Sequence, residues 1–222
     1  MLFRSARSSR AYWLLGHLIG IPGAQNASNE LLGHVIDYGE QTDQPNVRLY
    51  RTTADIGYHC DAADVVGLLC LVPAMQGGLS RISSALHAHE HLRREAPEAL
   101  RCLYREFLRD LVTPGASRTT EALLENRFPV FRLDPQHGLT LRYMRYWIEK
   151  GAERAGMALH KDDDAAMDLL DELFADRELH AQLHLHPGDA LFIDNRDIAH
   201  NRTPYEDLPG KERHLVRMWL AA

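Results

Sequence analysis

Tyr58-His-Cys-Asp-Ala-Ala-Asp-Val-Val-Gly-Leu-Leu-Cys-Leu71 is the stretch on which the reading of this 222-residue chain turns. Its second half belongs to Val65 to Val72, a continuous apolar run of the length expected for a buried strand. Its first half closes a run, Val47 to Tyr58, that reads as extended, and it spaces His59 and Asp61 two residues apart. Successive side chains of a strand alternate faces, so residues i and i+2 share one, and a His-x-Asp pair can grip one metal ion while Cys60 turns away. Far downstream, His200 follows a Pro187-Gly188-Asp189 turn. Two imidazoles and a carboxylate can occupy one triangular face of an octahedron and leave the opposite positions open, the geometry of non-haem Fe(II) oxygenase sites. With 13 histidines and 31 acidic residues in the chain, His-x-Asp alone is a weak signal.

The C-terminal stretch Lys211-Glu-Arg-His-Leu-Val-Arg-Met-Trp-Leu220 strengthens it. A period of two places Arg213, Leu215, Arg217 and Trp219 on one face and His214, Val216 and Met218 on the other. Two guanidiniums therefore share a face with apolar neighbours. A buried unpaired charge costs several kcal/mol, so an inward-facing arginine implies an anion to receive it, and the planar guanidinium fork suits a carboxylate.

Working outward, Ser9 to Gly20 has helical spacing ended by Gly20-Ile-Pro-Gly23, and Leu32 to Tyr38 reads as extended. Gly77-Gly78 permits a tight backbone approach. Ser84 to Arg94, Pro97 to Leu111 and Asp162 to Ala175 read as helices, the last opening on an acidic run that suits a helix start. Arg118 to Glu125 reads as irregular and Phe128 to Leu133 as extended, while the start of Leu141 to Gly151 stays ambiguous. Leu183 to Leu185, Ala190 to Ile193, the His200 segment and Arg213 to Leu220 complete the strands. Many short strands with helices gathered in insertions predict a mainly β, α+β chain built as a double-sheet jelly roll.

Composition bounds the function classes. The chain is 45% hydrophobic and 25% charged, as one globular domain would be, with a net charge of -6 that argues against a general nucleic-acid binder. Three cysteines point to a reducing cytoplasm, and no apolar run reaches the roughly 18 residues of a membrane span. The basic, acid-free opening Leu2 to Arg10 formally resembles a transit peptide, but it reads more simply as the lead-in to the first helix. His87, His89 and His91 splay around a helix and read as solvated surface, and His184 with His186 lacks an acid partner.

Five blocks carry a family resemblance: Tyr58 to Leu71, Gly77-Gly-Leu-Ser80, Pro187-Gly-Asp-Ala-Leu-Phe-Ile-Asp-Asn195, His200-Asn-Arg-Thr203 and Arg213-His-Leu-Val-Arg-Met-Trp-Leu220. From about Ala11 to the C-terminus the chain resembles the taurine dioxygenase (TauD/TfdA-like, clavaminate synthase-like) family of Fe(II)/2-oxoglutarate-dependent oxygenases. The resemblance implies that His59, Asp61 and His200 ligate Fe(II), that Arg213 binds the distal carboxylate of 2-oxoglutarate, and that Ser80 assists it. It implies further that Arg217, with Gln25 and Asn26, faces the substrate, and Arg142, Tyr143 and Arg145 add polar reach. The reaction implied is O2-dependent hydroxylation of an unactivated C–H bond of a small, anionic organic molecule, releasing succinate and carbon dioxide. Asp61 disfavours a halogenase, whose relatives carry a small residue there.

Family members usually carry a further N-terminal segment with a Gly-Phe-containing strand; the chain is expected to be a single domain over residues 1–222 that opens after that segment, unless the true start lies upstream. An open sheet edge is then expected to be covered, for instance in a homo-oligomer. The alternatives are an impaired family member serving as a binding or assembly protein, and a jelly-roll metalloenzyme of the cupin-isomerase kind, which needs no arginine facing the site.

Overall fold

The computed structural model describes residues 2–26, 28–40, 49–110 and 119–222. Helix α1 (Leu2–Ile19) leads into strands β1 (Ile21–Gly23), β2 (Gly33–Val35), β3 (Ile56–His59), β4 (Val65–Val72), β5 (Gln76–Gly77) and β6 (Ser80–Ser84). A helical middle follows, with α2 (Ala85–Glu95), α3 (Pro97–Leu103), β7 (Glu106–Leu108), α4 (Thr120–Glu125), β8 (Arg127–Pro129), β9 (Phe131–Asp134), β10 (Gly138–Leu141), α5 (Arg145–Arg154) and α6 (Lys161–Ala175). The chain ends on β11 (His180–Leu183), β12 (Ala190–Asp194), β13 (Ile198–Arg202), β14 (Tyr205–Glu206) and β15 (His214–Ala221).

Two antiparallel sheets organise these strands. One runs β1-β15-β4-β12, with β2 also paired to β15; the other runs β11-β6-β13-β3. Alternation along β15 explains the layering. Val216, Met218 and Leu220 pack outward with Tyr12 of α1, while Leu215 joins Val35 and Cys70 on the inner side. Fully burying side chains of this size stabilises by about 1.5–3 kcal/mol each. Tyr12 crosses β4 at Gly67, where an added Cβ would sit 2.4 Å from the phenol oxygen, so only glycine admits the helix so closely. On the second sheet Tyr58, Cys60 and Ala199 face outward into a core shared with α2, α3 and α6. Both outer faces are thus covered by helices, and the inner faces look across a cavity lined by His59, His200, Arg213 and Leu215.

Several expected boundaries move. Val65–Val72 is a strand from end to end, but the extended run before it is strand only over Ile56–His59, after a 3-10 turn at Leu49–Arg51; Val47 and Arg48 lie outside the described residues. The helix expected over Pro97 to Leu111 stops at Leu103 because Glu106–Leu108 pairs with Arg127–Pro129, and Phe107 and Leu108 gain burial that a helix would deny them; Leu111 lies outside the described residues. The expected irregular stretch before Phe128 holds a helix, because the Thr119 hydroxyl accepts the Ala122 amide at 3.2 Å and caps it; Arg118 lies outside the described residues. Lys161–Ala175 forms with Asp162, Asp163 and Asp164 in its first turn.

Candidate metal centre and the two cavities beside it

His59 ends β3 and His200 lies directly opposite it on β13, so strand register alone brings the two rings to 4.3 Å between centroids. Asp61 joins them, with His200 Nε2 3.9 Å from Asp61 Oδ2, and one ligand atom from each of the three side chains falls within 4.8 Å of the others. Among the described residues this is the one group of three or more His, Cys, Asp or Glu side chains placed to hold a metal ion. His87, His89 and His91 form no such group, and His184 and His186 only stack on each other at 4.9 Å.

Strand alternation does not aim Asp61, because β3 ends at His59 and Asp61 lies in the loop beyond it. Asn195 holds that loop instead. Its side-chain oxygen accepts the Asp61 amide at 3.0 Å, and its amide group donates to the carbonyls of Asp61 and Ala63, at 2.5 and 2.7 Å. The Asp61 carboxylate is then gripped by Arg217 Nη1, at 3.0 Å to Oδ2, and by Trp219 Nε1, also at 3.0 Å.

The electrostatics suit a cation. Burial favours the uncharged imidazoles, holding His59 below its usual range and, with His59 beside it, pushing His200 down to about 3. Burial alone would raise the Asp61 carboxyl; Arg217 and then the two imidazoles outweigh it and hold it down at about 2. His59 Nδ1 lies 2.9 Å from the Gly57 carbonyl, which assigns the proton to Nδ1 and leaves the Nε2 lone pair free for a metal ion. Two neutral imidazoles and an ionised carboxylate are the protonation states a divalent metal requires.

On one side of this centre lies the cavity between the sheets. Arg213 is buried there, its Nη1 has no hydrogen-bond partner, and it forms no ion pair among the described residues. Gly78, at φ +63, makes the room: an added Cβ would lie 3.1 Å from Arg213 Nε. Ser80 of β6 lines the same cavity, as does Arg202, which sequence reasoning gave no role. Arg202 donates Nη2 to the Thr52 and Ala54 carbonyls but leaves Nε and Nη1 unpartnered. Burial, reinforced by Arg213 nearby, lowers Arg202 to about 10. Orphaned donors on two buried guanidiniums fit the free carboxylate of a keto acid whose other end chelates the metal.

The residues expected to face a substrate are mostly engaged elsewhere. Arg217 donates Nε to Gln25 Oε1 at 2.8 Å and Nη1 to Asp61, so it holds the Asp61 carboxylate. Gln25 is fully buried and returns a bond to the Arg217 carbonyl at 2.9 Å, while Asn26 bonds Glu30 within its own loop. Tyr143 is buried and donates to Asp171 at 2.8 Å, and Arg145 is tied to Glu149, Asp164, Asp168 and Asp171. Of these residues Arg142 and Arg217 line a cavity beside the metal centre, joined by Arg109, whose position gave no signal in the sequence.

Two histidines, a carboxylate and an unpaired guanidinium on the inner faces of paired sheets describe the class of two-histidine, one-carboxylate metalloproteins. The "Taurine catabolism dioxygenase TauD, TfdA family" matches residues 5–219, and the chain belongs to that family. FR-33289 synthase of Streptomyces rubellomurinus (strain ATCC 31215) is 29% identical over 97% of this chain and 64% of its own length. A uridine-5'-phosphate dioxygenase of an Amycolatopsis species is 29% identical over 76% of this chain and 62% of its own. Among solved structures, asparagine oxygenase with Fe(II), hydroxyasparagine and succinate superposes with a TM-score of 0.65 at 19% identity, covering 91% of this chain and 60% of that one. The non-haem iron oxygenase OrfP with Fe, succinate and (3S)-hydroxy-L-Arg gives 0.68 at 16% identity, covering 95% and 66%. The chain therefore spans about six tenths of the curated relatives it matches, 64% and 62% of them.

Proposed function

We propose that this chain is an Fe(II)- and 2-oxoglutarate-dependent dioxygenase, a single jelly-roll domain, that hydroxylates an unactivated C–H bond of a small anionic organic molecule and releases succinate and carbon dioxide. The observation that carries the reading is the shared cavity in which His59, Asp61 and His200 converge while the unpartnered Arg213 Nη1 lies buried on its wall. Family membership supports it, and so do relatives named for, or solved with, small polar molecules.

His59, Asp61 and His200 would hold Fe(II), and Arg213 with Ser80 would receive the distal carboxylate of 2-oxoglutarate. Iron and the keto acid, when bound, supply the oxidative chemistry: decarboxylation to succinate and oxygen insertion into the C–H bond. The chain's own part is positional. The Gly57 carbonyl fixes the His59 ring, Asn195 fixes the Asp61 backbone, and Arg217 with Trp219 fixes the Asp61 carboxylate. Val66, Leu68, Ile193 and Leu215 give the keto-acid cavity apolar walls that limit water. Arg202 adds a second positive charge beside Arg213, so a dianionic keto acid meets charge of the opposite sign on entry.

The same reading assigns the protein to a reducing cytoplasm, in keeping with the free, buried Cys60, Cys70 and Cys102, and no described helix is long and apolar enough to cross a membrane. It also takes β12, at the margin of its sheet, as an edge a second copy can cover. Anaerobic titration with Fe(II) and 2-oxoglutarate tests the proposal. One keto acid per iron, with a weak visible charge-transfer band, is the expected result. Iron-loaded protein that binds no 2-oxoglutarate would return the chain to the binding or assembly role.

A further inference from the structure

The metal centre borders a second cavity. His59 and Asp61 belong to both cavities, but here the far wall is built from Arg109, Arg142, Met144 and Trp147. Arg109 is 7% exposed; its Nη2 donates to the Arg142 carbonyl and its Nε has no partner. The Arg142 guanidinium stacks on Phe128, 3.5 Å from the ring centroid, and makes no side-chain hydrogen bond or ion pair among the described residues.

Arg217 is neutralised by Asp61 and Arg145 by four acids, while the unpaired Arg213 and Arg202 line the cavity that fits the keto acid. Arg109 and Arg142 have no such acid: burial, and after it the Arg142 charge, lowers Arg109 to about 10, and burial lowers Arg142. Two like charges kept together in a cavity are costly to the fold and are explained by a ligand that cancels them. A carboxylate would cancel one and leave the other bare. A dianionic tetrahedral oxyanion cancels both and presents enough oxygens for two guanidinium forks.

Resting on the dioxygenase reading above, we infer that Arg109 and Arg142 seat the phosphoryl head of the substrate, a phosphate monoester or a phosphonate, and so set the enzyme's substrate class. The organic part of that molecule then extends between Trp147 and Trp219 toward His59 and Asp61, which lie in the same cavity.

The test uses the iron-loaded protein without oxygen, saturated with 2-oxoglutarate so that Arg213 is engaged. Methyl phosphate, methylphosphonate and acetate are titrated at constant ionic strength and about pH 8.5, above the second ionisation of a phosphate. Tryptophan fluorescence reports binding, since Trp147 and Trp219 line the cavity. Both phosphoryl probes are expected to bind at least about tenfold tighter than acetate, and the tighter of the two distinguishes an ester-linked from a carbon-linked head. Arg142→Gln and Arg109→Met should each weaken phosphoryl binding by about tenfold or more while the 2-oxoglutarate titration stays as in the wild type. If Arg109→Met does not fold, Arg142→Lys, which keeps the charge and loses the fork, supplies the second variant.

Equal binding of acetate, or phosphoryl binding untouched by both variants, would overturn the assignment. So would phosphoryl binding that 2-oxoglutarate displaces and Arg213→Gln abolishes, since the anion would then sit in the other cavity. Failure of the parent reading is seen separately, as wild-type protein that binds no 2-oxoglutarate while the phosphoryl titration of metal-free protein still reports on Arg109 and Arg142.

Discussion

Arg217 and Trp219 donate to the same oxygen of Asp61, and that carboxylate is nearly excluded from solvent. Removing the guanidinium leaves a buried anion without its first counter-charge, so Arg217→Ala is expected to weaken Fe(II) binding by about 10–100-fold, read by anaerobic metal titration. A variant with unaltered iron affinity and a raised KM for substrate alone would restore the substrate role expected from the sequence. The histidines make a pH prediction. In the unfolded chain His200 takes up a proton below its ordinary value of 6.5, whereas in the folded protein it does so only near 3. The unfolded state therefore binds more protons between those values, and metal-free protein loses stability as pH falls from 6.5 toward 3. Asp61, depressed from 3.8 to about 2, adds a loss of the same sign at the acid end. Urea midpoints of metal-free protein should drop from pH 7 to pH 5, and His200→Gln should flatten the slope; a flat wild-type profile would contradict the burial of neutral His200.

Between elements, the site depends on three joins. β3 meets β13 in register at His59 and His200, Asn195 just after β12 clasps the loop after β3, and the Gly77-Gly78 turn makes room for Arg213 just ahead of β15. Gly78→Ala tests the last. A side chain at φ +63 costs roughly 1 kcal/mol or more, and its Cβ would press on Arg213 Nε. The expected outcome is a several-fold rise in the Kd for 2-oxoglutarate with Fe(II) affinity unchanged, because the turn touches Arg213 and none of the three ligands. Equal loss of both affinities would mean that the turn shapes the whole cavity. The sequence showed the alternation of β15 and the continuous apolar character of β4 because each strand's own pattern contains it. It did not show β7, since a Phe-Leu pair inside a helical period becomes a strand only when Arg127–Pro129 arrives beside it.

For the molecule as a whole, the decisive measurement is iron stoichiometry. His59→Ala and Asp61→Ala should each abolish stoichiometric Fe(II), and retention by both would place the metal elsewhere. Family, strand alternation, the His59–Asp61 spacing and the presence of inward arginines were all legible along the chain, because each is carried by local order of residue types. Which arginine does what was not. Arg213, Arg217, Arg202, Arg109 and Arg142 look alike in one dimension, and their roles differ only by which acids the fold sets against them: Asp61 beside Arg217, and no carboxylate paired with Arg213, Arg109 or Arg142 among the described residues. Charge compensation is a through-space property, falling off over a few ångströms in a low-dielectric interior, so it is decided by residues as far apart as Asp61 and Arg217 and comes into being only when the sheets close.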